Sequence, residues 1–273
     1  MIIKLDIAKK TYEADLSQPQ SIAIALLPNG DQPSHFGAPA CTSKTLEGDG
    51  FIGDTKRGGS CNVNTLTIVP HCNGTHTESV SHIVDQHVAV FNAIDESLFA
   101  SVLVTLQPLE ARDVIDQYIP EYDPSNLVIT RAQLEKYLAE YSNEQLSGLV
   151  IRTLPNTSDK CFQRYDKNHY PIYLTNDAMS YIVEREVKHL LVDFPSVDKM
   201  YDQGKLSNHR LFWQVELNQT SLNTHSTCNK TISEMVFVDN QILDGFYLCN
   251  LQVPKIDTDA VPSHPVLYSL NEI

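Results

Sequence analysis

The segment His71-Cys72-Asn73-Gly74-Thr75-His76-Thr77-Glu78, closed by His82, gathers three imidazoles, a carboxylate and a thiol into twelve residues. The whole chain has ten histidines in 273 residues, so three in one such window stand out against chance. Imidazole, carboxylate and thiolate together suit Zn²⁺, and without the thiol the same set suits Mn²⁺ or Fe²⁺. His76 and Glu78 are two apart, so an extended backbone points both to one face. Gly74-Thr75 supplies the tight backbone that can return His71 toward that face. The expectation is a metal site at the end of a strand, with His82 as a proton carrier. Solvated loop histidines are the alternative.

The segment resembles the signature of the cyclase and kynurenine formamidase family of metal-dependent hydrolases, a His-x-Gly-Thr-His-x-Asp-x-Pro-x-His run that holds the metal. Gly74, Thr75, His76 and His82 match. Glu78 stands where the family has Asp, and Ser79-Val80 where Ala-Pro usually stands. One extra residue before Gly74 puts Cys72 in strict register with the first ligand; a bulge at Asn73-Gly74 would return that position to His71, which is the expected ligand. Leu191-Val192-Asp193-Phe194-Pro195-Ser196-Val197-Asp198 resembles the family's strand ending in a Thr-Pro-Ser-Val-Asp turn. Ser207-Asn208-His209-Arg210 and Ile232-Ser233-Glu234-Met235 resemble a later pair of ligands, with the polar stretch 219–230 as an insertion between them.

The resemblance implies a swivelling β/β/α fold and a site in which His71, His76, Glu78, His209 and Glu234 hold one or two divalent cations, Zn²⁺ or Mn²⁺. Metal-activated water would then attack the carbonyl of a small amide or cyclic amide, with His82 collecting and returning the proton. A relative that binds a metal or small molecule without turning it over is the competing reading. Family members are often dimers or tetramers, so a homo-oligomer is expected. Taken alone, His209 could merely cap a helix and Glu234 could be a solvated element end. Asp198 reads as an Asx-turn or helix cap, His189 and Cys61 as core, and Trp213 with Phe212 as core or pocket wall. His35, His87 and His264 receive no role.

The elements that must position these groups read as α/β. Residues 1–60 alternate short apolar runs with turn residues, which suggests short strands. Residues 62–69 alternate as the strand expected to deliver the motif, and 101–106 form another strand. Thr130 and Gln133 form a capping box ahead of a helix over 130–141, whose Leu134, Tyr137, Leu138 and Tyr141 share a face. A strand at 148–153, a helix after Thr175 and a strand at 188–193 follow, the order of a crossover-connected sheet. No repeat or linker divides residues 1–273, so one domain is expected.

Composition narrows the partners. Twenty basic against thirty-four acidic residues give −14, which disfavours nucleic acid and anionic membranes because phosphate binding needs a basic face. A small-molecule substrate is expected instead. No stretch reaches bilayer-spanning length. Asp6 and Lys9-Lys10 interrupt any apolar leader, and the six cysteines show no paired spacing, so a cytoplasmic protein with reduced thiols is expected.

Overall fold

The computed structural model describes all 273 residues. Its centre is a nine-stranded sheet. Four parallel strands, Leu98–Leu106, Gly148–Thr153, His189–Val192 and Thr231–Glu234, form the middle. Apolar side chains on both faces bury them, as parallel strands require. Val102, Val104, Leu149, Ile151, Leu190, Val192 and Ile232 join a core with the helices, while Leu103, Val150 and Leu191 point into a second core on the opposite face. The crossovers expected from the element order are present: Arg131–Leu138 links the first two of these strands, and Asn176–Glu184 links the next two.

Antiparallel strands extend both edges. His76–Glu78 pairs with Thr231–Glu234, and Ala260–Pro262 pairs with the free side of His76–Glu78. At the other edge lie Gly245–Asn250, Val266–Ser269 and Gln20–Ser21. A separate hairpin, Ile2–Ile7 with Lys10–Asp15, joins Asn271–Glu272 and packs Tyr12 and Ala14 on Leu248 and Leu270.

Local signals account for the helices. Thr130 accepts the Gln133 N–H and the Gln133 side chain reaches back to Thr130, the expected capping box. Leu134 and Leu138 are fully buried, but Tyr137, expected beside them, is 44% exposed. Thr175 accepts the Ala178 N–H and starts the second helix, which buries Ala178, Met179 and Ile182. Phe212 and Trp213 end the short helix Ser207–Trp213 fully buried, and the indole N–H donates to the Lys230 carbonyl at 3.0 Å. No helix is long and apolar enough to cross a membrane.

Two strand expectations need correction. The ribbon at 62–69 is only Asn64–Thr67, exposed throughout and paired with Thr42–Thr45 outside the main sheet. Pro70 lacks an N–H and opens a one-turn helix, Pro70–Cys72, so the ribbon stops before the motif. The apolar run 22–27 forms no strand beyond an Ala23 bridge to Val236, because the Ile24 N–H goes to the Thr75 hydroxyl at 2.8 Å.

Candidate metal centre

The cluster forms at the carboxyl end of the parallel strands, where α/β sheets commonly hold ligands. His76 and Glu78, two apart in one strand, share a face and are fully buried. Register sets Glu234 opposite His76, and His76 Nε2 lies 3.5 Å from Glu234 Oε2. Glu234 Oε1 also accepts the Val197 N–H at 2.8 Å, which ties it to the Pro-Ser-Val-Asp turn. Gly74, at φ +88°, occupies the left-handed region and turns the chain between Pro70–Cys72 and His76. His71 thereby comes back over the strand, with Nδ1 2.9 Å from Glu78 Oε2.

His209 arrives from the far side of the site. The Asp198 carboxylate accepts the backbone N–H groups of Asn208 and His209 at 2.8 and 3.1 Å, capping the short helix from outside it. It also takes the His209 Nδ1 proton at 2.6 Å, which aims Nε2 at Glu78 Oε1, 3.0 Å away, and at Glu234 Oε1, 3.8 Å away. Asp198 is thus a cap, as its turn suggested, and also the group that orients His209. Trp213 stands 5.6 Å from the His209 ring, so this core residue also abuts the cluster.

His76, Glu78, His209 and Glu234 therefore meet although the sequence scatters them, and His71 joins them. Cys72 does not enter any of the groups of converging donors. Its burial and the neighbouring Glu234 charge push its thiol pKa up. His82, on the turn Val80–His82, lies 4.2 Å from the His71 ring and 5.3 Å from that of His209. One of its nitrogens comes within 4.8 Å of donors on Glu78 and His209, so His82 is near enough to carry a proton or to act as a ligand.

Electrostatics test whether a cation fits. His76 Nδ1 donates to the Gly74 carbonyl at 3.0 Å, so Nε2 carries the lone pair. That atom is buried and has no hydrogen-bond partner. A buried acceptor pointing at carboxylates and imidazoles is costly unless something positive meets it. Burial alone would raise the Glu78 pKa, but the His82 and His209 charges and the hydrogen bonds from His209 and His71 hold it well below the usual range. Burial would likewise lower His209, yet Glu78 and Asp198 hold it well above an ordinary histidine. His71 is raised to about 10, its hydrogen bonds to Asp259 and Glu78 outweighing desolvation. Protons on His71 and His209 thus supply the positive charge that a divalent cation would supply, and the donor set fits one.

Asp259 is the group that sequence reasoning missed. Its carboxylate lies 3.0 Å from His71 Nε2 and 3.9 Å from His82 Nδ1, and the first contact, followed by the second, holds it well below the carboxylate range. No motif flanks it; Asp257-Thr258-Asp259 before an apolar pair was the only visible signal. It reaches the site because Ala260–Pro262 pairs with His76–Glu78 and the Ser79 N–H donates to the Asp259 carbonyl at 2.9 Å.

Four of the six remaining histidines have settings that define their roles. His189 is a satisfied core residue, bonded to Thr231 at 2.9 Å and stacked on Phe99. His87 pairs with Asp257 and His264 with Ser21, both in exposed settings. His35 is buried with neither ring nitrogen partnered, and burial lowers its pKa to about 4. A groove of about 940 Å³ lies at the amino ends of the parallel strands around Leu98, Lys188 and Lys230 and includes none of the cluster. A polar cavity of about 330 Å³, lined by Ser81, Asp85, His87 and Asp257 among others, touches the cluster at Asp259.

Among curated proteins none matches the sequence. The fold is similar to that of a protein described as a predicted metal-dependent hydrolase from Bacillus stearothermophilus, at 14% identity and TM-score 0.57, covering 92% of this chain and 98% of that one. It is also similar to an isatin hydrolase bound to the product analogue thioisatinate, at 13% identity and TM-score 0.62, covering 93% of each chain. Isatin hydrolase A from Labrenzia aggregata is similar at 13% identity and TM-score 0.58, covering 92% and 93%. These likenesses establish the fold, and the α/β class read from the sequence holds. The Cyclase family model matches residues 14–199, which include the first motif and the Pro-Ser-Val-Asp turn but not His209, Glu234 or Asp259. The chain belongs to the Cyclase family.

Proposed function

We propose that the chain, as one domain, is a metal-dependent hydrolase that cleaves a C–N bond of a small amide or cyclic amide, in the manner of an arylformamidase. The observation that carries this reading is the unpartnered, buried Nε2 of His76 amid His71, Glu78, His209 and Glu234. The isatin hydrolases among the similar folds support a cyclic amide.

His71, His76 and Glu78 would hold one cation, with His209 and Glu234 completing that site or binding a second beside it. A divalent cation there supplies Lewis acidity, bringing the pKa of a bound water near neutrality and polarising a carbonyl. Imidazole and carboxylate donors serve Zn²⁺ and Mn²⁺ alike. Asp198 keeps the His209 proton on Nδ1, so that Nε2 stays available to the cluster. His82 accepts the proton of the attacking water and returns it to the leaving nitrogen, which departs as a neutral amine or amide.

The test is turnover of a panel of formamides and cyclic amides by metal-loaded protein, with a chelated control. Chelator-sensitive hydrolysis supports the proposal. Metal uptake without turnover on any member would instead favour a binding protein, a reading kept open by the longer Glu78 at the family's Asp position.

A further inference from the structure

Asp259 makes a contact that the hydrolase reading does not use. Its Oδ2 atom accepts the His71 Nε2–H at 3.0 Å, and the opposite ring nitrogen, Nδ1, faces Glu78 Oε2 at 2.9 Å. His71 is thus gripped from both sides, Nδ1 facing Glu78 and Nε2 facing Asp259. An imidazole free of such a partner exchanges its proton between the two nitrogens and turns about χ2. A hydrogen bond from the outer N–H fixes both the tautomer and the ring plane. The carboxylate is itself well seated: the Ser79 N–H donates to the Asp259 carbonyl, Ala260 pairs with Glu78, and the Thr258 hydroxyl lies 3.1 Å from Oδ1. The edge strand that follows Asp259, Ala260–Pro262, is therefore locked in register with the strand carrying His76 and Glu78.

Asp259 also stands 3.9 Å from His82 Nδ1, too far for a hydrogen bond. The His71 and His82 rings are 4.2 Å apart and tilted by 30°, so the carboxylate sits beside both at once. Of the two rings, only His71 is within hydrogen-bond distance of it.

We propose that Asp259 is a positioning residue for the metal site: it holds the His71 proton on Nε2 and so presents Nδ1 as the donor to the cation. The proposal rests on the hydrolase reading for its purpose, but the hydrogen bond it invokes exists without the cation. Asp259 also stands with His71 and His82 in a group of donors within 4.8 Å of one another, so the test must separate positioning from ligation.

Two variants of the full chain test it, Asp259→Ala and Asp259→Asn. Zn²⁺ affinity is read by competition with a chromophoric chelator, and the His71 ring by ¹⁵N–¹H correlation spectra of metal-free and Zn²⁺-loaded protein. Asp259→Ala is expected to weaken Zn²⁺ binding about 10–100-fold, the usual effect of removing such a partner. The His71 Nε2–H resonance should lose its protection from exchange in the same variant. Asp259→Asn keeps a carbonyl acceptor and should restore most of both. Unchanged affinity and an unchanged Nε2–H signal in Asp259→Ala would overturn the proposal. So would an Asn variant as impaired as Ala, since that would make Asp259 a ligand. If wild-type protein takes up neither Zn²⁺ nor Mn²⁺, the hydrolase reading falls, while the metal-free spectra still decide the role of Asp259.

Discussion

Asp198 Oδ2 lies 2.6 Å from His209 Nδ1, and the same carboxylate caps the helix that carries His209. One side chain therefore fixes both the position of the helix and the rotation of the ring it delivers. Tyr118 completes the arrangement, its hydroxyl donating to Asp198 Oδ1 at 2.7 Å. All three partners are buried.

Replacing Asp198 by Ala strands the Tyr118 hydroxyl and two helix N–H groups away from water. Each unsatisfied buried donor costs roughly 1–3 kcal/mol, so a loss of several kcal/mol is expected. Chemical denaturation of the chelated protein would measure it. Asp198→Asn should retain most of that stability but weaken metal affinity about 10–100-fold, because the amide orients His209 less well. Metal affinity left at the wild-type level in Asp198→Asn would refute the orienting role.

His76→Ala removes the one donor with no other partner, and Glu234→Gln removes a charge facing it. Both are expected to lower metal content measured by mass spectrometry, His76→Ala to near zero. In contrast, Cys72→Ser should retain metal while His71→Ala loses it, since the thiol stands outside the converging donors. Loss of metal in the cysteine variant alone would reverse that assignment.

The parts of this site that were legible in the sequence are those set by local spacing. His76 and Glu78 share a face because a strand has a two-residue period, and Gly74 turns because positive φ favours glycine there. The helix after Thr130 is likewise written in four residues. What was not legible depends on register between distant strands. Asp259 reaches His71 only because its strand pairs antiparallel with His76–Glu78, and nothing within ten residues of Asp259 announces that pairing. The exposed ribbon at Asn64–Thr67 shows the converse: its alternation is genuine, but no sheet face was available to bury it.

His82→Ala tests the division between ligand and proton carrier. As a proton carrier, His82 contributes about 10²–10⁴-fold to kcat, and its loss should leave metal content unchanged. Parallel assays of kcat and metal stoichiometry separate the outcomes. An empty site would make His82 a ligand, consistent with its reach to Glu78 and His209.

His189 provides a pH dependence far from the metal. Burial, followed by the Lys188 charge, lowers its pKa from 6.5 to about 4 in the folded chain. The unfolded chain therefore binds this proton first as pH falls. The stability that neutral His189 confers is fully present above about pH 6.5 and is lost progressively as pH drops toward 4. A tenfold difference in proton affinity between the folded and unfolded chains is worth about 1.4 kcal/mol, so the loss approaches ~3 kcal/mol. Urea midpoints of chelated protein between pH 7 and 4 would show it as a decline on the acid side. His189→Gln, which can keep a hydrogen bond to Thr231 but cannot titrate, should flatten that part of the decline. A variant with the same acid slope as wild type would mean that His189 is not the group responsible.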